Sequence, residues 1–347
     1  MSDTKKIVFI FLVLTVMNPC FSEAERGSVP IQSFTHIAMA TTFKAIVYGE
    51  DTDTDPESLR DAAQAAFQAV DALENRISNW KPGSYTSLVN KSAAKKPLKV
   101  SVDLIELLEV SRRIYNNSSG AFDVTVNPLL VFWREQEKLG IFPEPEKVKP
   151  ILDHVGLNHV LVDNVANTVF FEKPGMSLDF GGIAKGLALD RMAVVLEEHG
   201  VHTALLNAGT STLLAMGQPK DEAGWTVSIN SPYNNGLDNS IANVVICNES
   251  LSTSSNAERF FDVGGKRCGH IIDPRNGMPV GGLTSATAIC PTGVESDALS
   301  TAFFVMGVAE VRSYCEKHPE VRAILLEDGC PDNEAIFVNF NNERSKE

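Results

Sequence analysis

The chain has no clustered basic run, no CxxC pair, no internal repeat or low-complexity tract, and no apolar stretch of membrane-spanning length. Each absence removes a class of function. Phosphate backbones are held by clustered Lys and Arg. Here 30 Lys and Arg stand against 44 Asp and Glu, a net charge of −14, which argues against nucleic acid as a partner. A small phosphate ligand is still allowed, because backbone amides and one metal ion suffice to hold it. Apart from Cys20 the cysteines are Cys247, Cys268, Cys290, Cys315 and Cys330. That odd set cannot all pair, and its spacing matches neither zinc nor dithiol motifs. A chain of 347 residues buries an adequate core without such staples.

The N-terminus reads as a leader. Lys5-Lys6 precedes an apolar run from Ile7 to Met17, followed by Asn18-Pro19 and small residues at Ser22 and Ala24. A charged head, an apolar middle and a small-residue exit describe a secretory signal. The run is about half the roughly 20 residues needed to span a bilayer. The expectation is a signal peptide over residues 1–24, then one domain over 25–347, exported to the bacterial periplasm. Lipidation of Cys20 is the alternative, and it would tether the protein to the inner membrane. The preceding Met17-Asn18-Pro19 is a poor processing site for that modification.

Helical and strand signals alternate irregularly. Phe43–Tyr48 reads as a strand. Pro56–Ile77 reads as an amphipathic helix, with Leu59, Ala63, Ala66, Phe67, Val70, Leu73 and Ile77 on one face. Val102–Tyr115 reads as a second helix, and Met176–Phe180 as a strand. Ile183–His199 is expected to be a helix capped by Gly200, followed by a strand at Thr203–Asn207. Short strands follow Trp225, then a helix from Ser296 to Met306 ending at Gly307 and a strand at Arg322–Leu326. This is the pattern of an α+β fold, not of a doubly wound sheet.

Three stretches carry chemistry. Asp179-Phe180-Gly181-Gly182-Ile183-Ala184-Lys185-Gly186 lies where extended chain enters a helix, so glycines and first-turn amides suit an anion. It equally suits a tight turn with a paired Asp and Lys. Asp297 and Thr301, spaced i, i+4, put a carboxylate and a hydroxyl on one helix face. That pair suits a magnesium ion sharing its shell with water and phosphate. It also suits an acid complementing its own helix N-terminus beside a hydroxyl bonded to an earlier carbonyl. His270, three residues before Asp273, reads as a general base or as part of a satisfied turn. Spacing alone leaves each pair of readings open. The other histidines, 36, 154, 159, 199, 202 and 318, carry no motif.

In this order, and with Met39–Phe43, Arg76–Trp80, Gly120–Leu129, Asn207–Gly209 and Thr253-Ser254, these segments resemble the ApbE family of flavin transferases. The resemblance implies two α/β subdomains with FAD between them. It implies magnesium on Asp297, Thr301 and the Gly182 carbonyl, with Ser300 nearby. FAD contacts are implied at Met39, Trp80, Ala121, Phe122, Asp123, Asp179, Lys185 and Ile272, and His270 is implied as the base that activates an acceptor hydroxyl. The implied reaction moves FMN from FAD to a Ser or Thr of an acceptor protein and releases AMP. Magnesium-dependent FAD hydrolysis to FMN and AMP, and periplasmic FAD binding without turnover, are the alternatives. Three positions depart from the family pattern. Gly209-Thr210-Ser211 lacks a glycine and a carboxylate, Thr253-Ser254-Ser255 lacks a closing glycine, and Ala40 stands where glycine is common. Thr284-Ser285-Ala286-Thr287 resembles the end of an acceptor motif, but Gly281 replaces its leading acid, which argues against self-modification.

Overall fold

The computed structural model describes residues 15–16, 29–231, 240–256, 260–330 and 334–340. The leader expected over 1–24, Cys20 included, lies outside these residues except for Thr15–Val16, which pairs antiparallel with the strand Trp225–Asn230. Eight strands form the central sheet: β1 (Ile31–Ala38), β2 (Thr41–Tyr48), β3 (Ala204–Ala208), β4 (Thr212–Met216), β5 (Glu249–Ser255), β6 (Leu283–Cys290), β7 (Arg322–Glu327) and β8 (Ile336–Val338). They lie side by side in chain order, each antiparallel to the next.

Between β2 and β3 the chain makes α1 (Pro56–Ile77), α2 (Tyr85–Ser92), α3 (Val102–Asn117), α4 (Asn127–Leu139), α5 (Pro145–Leu152) and α6 (Ala184–Glu198). A small second sheet of Leu98–Lys99, Thr168–Phe171 and Val160–Asp163 belongs to the same excursion. The last helix, α7 (Gly293–Lys317), joins β6 to β7. Antiparallel strands with helices gathered in one excursion match the α+β expectation.

Side-chain alternation sorts the sheet into two buried faces. Phe43, Ala45, Val47, Leu206, Leu214, Ala286 and Ala288 face the helical core, where α6 packs between α1 and α7. Ile46, Leu205, Leu213, Leu251, Ile289 and Ile324 face the hairpin Trp225–Asn230/Ser240–Ile246. A third cluster, with Leu129, Trp133, Val148, Phe261 and Ile272, lies under α4 and α5. The five cysteines after Cys20 are all free, Cys290 and Cys315 inside the core.

One expected element differs. Residues 176–180 form no strand: Leu178 is held by side chains, its N–H donating to Asn90 Oδ1 (2.7 Å) and its carbonyl accepting from Asn90 Nδ2 (2.9 Å) and Asn79 Nδ2 (3.1 Å). Two asparagines supply what a neighbouring strand would. The helix that starts at Gly293 breaks at Gly307, as expected. That residue leaves helical geometry (φ 70°, ψ 175°), and the chain then resumes helix because Val311, Tyr314 and Cys315 pack into the core.

The β1–β2 turn places Met39 and Ala40 at φ 49° and 57°, a left-handed pair that favours Asn-Gly. Ala40 is exposed, so its methyl contributes strain and no packing. Ala40→Gly is expected to stabilise the protein by about 0.5–1 kcal/mol, read as a higher midpoint in urea unfolding at unchanged slope.

Candidate active site

Several of the expected site segments lie toward one end of the sheet. The turn at 39–40, the β3–β4 turn at 209–211 and the C-terminal end of β5 meet there: Gly209 N–H donates to Thr42 O and Thr253 N–H to Ser211 O. The loop from Asp179 to Ile183 and the N-terminal half of α7 complete the end. The α7 helix runs along β5 in matched steps, because two strand residues rise ~6.8 Å and four helical residues ~6 Å. Ser250 meets Ser296 (2.7 Å), Ser252 meets Asp297 (3.4 Å) and Ser300 (3.4 Å), and Ser254 meets Ser300 (2.9 Å) and Thr301 (3.2 Å).

Asp297 sits at the centre with only 3% of its surface exposed. One oxygen accepts from Lys185 Nζ (3.2 Å) and Thr212 Oγ1 (3.1 Å), and the other from Gly186 N–H (3.1 Å). Gly186 is in the first turn of α6, whose amides have no partner within the helix. Asp297 therefore complements a helix N-terminus, but that of α6 and not its own.

The relation is reciprocal. Asp190, on α6, accepts from Gly293 N–H (2.6 Å) and Val294 N–H (2.8 Å), the opening amides of α7. Between the two caps the helices touch backbone to backbone, and a Cβ on Gly186 would lie 2.0 Å from Gly293 O. Burial pushes the Asp190 carboxyl up to about 6, against the pull of those two N–H donors, with Glu106 raising it further and Arg191 lowering it.

The Gly182 backbone lies against Thr301. A Cβ on Gly182 would lie 3.2 Å from Thr301 Oγ1 and 3.5 Å from the Phe122 ring. Ser300 bonds back to Asp297 O (2.9 Å) and stays on the β5 seam, so its hydroxyl is committed. Thr301 makes no such back-bond and meets Ser254 instead. The carboxylate, hydroxyl and glycine carbonyl that these residues carry are all oxygen donors, a chemistry that fits a hard cation retaining water and taking its remaining ligands from phosphate. Among the described residues no cluster of three His, Cys, Asp or Glu competes for it.

The other expected contacts divide. Asp179 accepts from Gly181 N–H (2.8 Å) and gives its own N–H to Val124 O (2.7 Å), fastening the loop to the Ala121–Asp123 segment. Asp123 is committed internally, accepting from Thr125 N–H (2.7 Å), Thr125 Oγ1 (2.6 Å) and Leu157 N–H (3.0 Å), and burial raises its carboxyl. Ala121 and Ile272 are buried, so these three positions offer a ligand mainly backbone. Trp80 is 79% exposed, with the Arg134 guanidinium 5.7 Å from its ring centroid, and presents a free aromatic face. His270 is half-buried directly after the strand Lys266–Gly269. Asp273 does not serve it: its oxygens take Arg275 Nε (3.0 Å), Arg275 Nη2 (3.0 Å) and Asn276 Nδ2 (3.2 Å).

Thr212, Ser252, Ser254 and Asp190 were missing from the expected set. The alternate serines of Glu249–Ser255 were the available signal, since hydroxyls at period two on a core-facing strand need polar partners.

The profile of the ApbE family matches residues 39–325, and the chain belongs to that family. It is 29% identical over 298 residues to the FAD:protein FMN transferase of Escherichia coli K12, covering 84% of this chain and 83% of that protein. With the protein of the same name from Klebsiella pneumoniae it shares 28% over 297 residues, with the same coverage. The crystal structure of the ApbE protein of Thermotoga maritima superposes with a TM-score of 0.79 at 25% identity, covering 92% of this chain and all of that one. The flavin transferase ApbE of Vibrio cholerae, at 21% identity and a TM-score of 0.73, shares the fold.

Two predictions follow from this geometry. Lys185→Met strands a buried carboxylate and is expected to destabilise the protein by about 3 kcal/mol; adding Asp297→Asn should recover much of the loss in the same unfolding assay. Asp190 has its folded pKa near 6, above the unfolded carboxylate value. Its contribution is therefore present below the unfolded value and lost as pH rises through 6. Relative to Asp190→Asn, the wild type should lose about 2 kcal/mol of stability between pH 4 and 7, measured by urea unfolding at both pH values.

Proposed function

We propose that the protein is a magnesium-dependent FAD:protein FMN transferase, exported by its leader, that moves FMN from FAD to a Ser or Thr hydroxyl of an acceptor protein and releases AMP. The observation that carries this reading is the buried Asp297 carboxylate, beside Thr301 and Gly182 at the N-terminus of α6. Family membership and the names of the relatives support it.

Each residue has a defined task. Lys185, in the first turn of α6, supplies positive charge for a pyrophosphate. Asp297, Thr301 and the Gly182 carbonyl would hold the magnesium ion, which supplies charge neutralisation to the pyrophosphate and its leaving group. Trp80 offers a face for ring stacking, and Met39 and Phe122 add apolar surface. His270 takes the acceptor hydroxyl proton as the acceptor oxygen bonds to the FMN phosphorus and the phosphoanhydride bond breaks. The electron pair of that bond leaves with AMP.

The test is incubation of the protein with FAD, Mg²⁺ and a Ser/Thr-bearing acceptor domain. Covalent fluorescent acceptor and AMP should appear in equal amounts. Asp297→Asn, which keeps an acceptor for Gly186 N–H, is expected to lower the rate by about 10²–10³-fold while the fold survives. AMP without acceptor adduct would show hydrolysis instead. FAD binding without AMP would contradict turnover altogether.

A further inference from the structure

We propose that Arg275 is a positioning residue for the transfer reaction, holding the His270 hairpin in register with the helix that carries Asp297. The proposal rests on the reading of His270 as the base. His270 stands at the open end of a hairpin whose rungs are Val280 N–H to Ile271 O (2.9 Å), the Ile272–Pro279 bridge and Asp273 N–H to Met278 O (2.9 Å). At the open end Asn256 donates to Val280 O (3.0 Å) and fills the space a Cβ on Gly269 would occupy, 2.0 Å from its Cγ. At the tip, Trp133 Nε1 donates to Gly277 O (2.8 Å) and pins the turn to α4.

Arg275 joins this tip to α7. Its Nε and Nη2 clasp the Asp273 carboxylate, Nη1 reaches Glu310 (3.0 Å), and Nη2 also donates to Val305 O (3.4 Å). Val305 lies just before the break at Gly307, where helical carbonyls lose their ladder partners, so the guanidinium caps the segment containing Asp297 and Thr301. The Arg275 stem also lies 3.7 Å from the Cβ position of Gly120, at the start of the Ala121–Asp123 wall. One planar fork thus ties together the hairpin of the base, the helix of the carboxylate and a wall of the site. A lysine retains the charge but cannot hold a two-point carboxylate contact, a carbonyl and a second acid at once.

The role differs from general scaffolding because its effect runs through His270, and misplacing a reacting group by about 1 Å costs up to ~10²-fold in rate. Arg275→Lys, His270→Ala and the double variant are assayed for FMN transfer, with KM for FAD and the melting temperature of each. The expected result is a kcat lower by about 10- to 100-fold in Arg275→Lys, with KM for FAD within about twofold, and less than about twofold further loss when it is added to His270→Ala. The same loss in both backgrounds, a rise in KM without loss of kcat, or wild-type kcat would overturn the proposal and leave the transferase reading intact. Wild-type transfer by His270→Ala alone would instead remove the base assignment. If Arg275→Lys does not fold, Asp273→Asn, which weakens the clasp and keeps an acceptor in the turn, takes its place with the same criteria.

Discussion

The site depends on two glycines that let two helices touch. Gly186 and Gly293 bring the backbones of α6 and α7 so close that a side chain on either would occupy the other's main chain. At that separation each helix reaches across to complete the other's N-terminus, α7 through Asp297 and α6 through Asp190. Helix N-termini carry unpaired amides and partial positive charge. The buried Asp297 carboxylate is therefore also a structural cap.

Everything else at this end of the sheet follows from where that crossing places α7. Its polar stripe runs down the hydroxyl face of β5, so Ser252 and Thr212 approach Asp297 while Ser254 approaches Thr301. Lys185 lies against Asp297 and balances its charge within the protein itself. The hydroxyl ladder stays hydrogen-bonded throughout, as polar groups at this depth require.

Much of the fold was legible in the sequence because strong local signals agreed with tertiary packing. The apolar stripe of Pro56–Ile77 and its Asp55-Pro56 start give α1 the expected bounds, and Gly200 closes α6 with φ 76°. One departure has a physical cause. Residues 176–180 carry strand-like residues, but the backbone partners of Leu178 are asparagine side chains far away in sequence. Gly307 signalled a helix end and the helix does break there, a second helical segment following because Val311, Tyr314 and Cys315 are buried. The i, i+4 pairing of Asp297 and Thr301 was visible. Its meaning was not, because the helix N-terminus that Asp297 complements lies 111 residues earlier in the chain. Asp190 escaped notice for the same reason: nothing near it in sequence marks it as the cap of a helix a hundred residues on.

The central claim is that Asp297 is the protein's anchor for the divalent ion that accompanies FAD. Its most direct test is electron paramagnetic resonance of Mn²⁺ titrated into FAD-loaded protein, in a His270→Ala background where turnover is slow. The expected result is one tightly bound ion per chain, weakened about tenfold or more by Asp297→Asn, since a single carboxylate dominates this donor set. Equal Mn²⁺ affinity with and without the Asp297 charge would contradict the account.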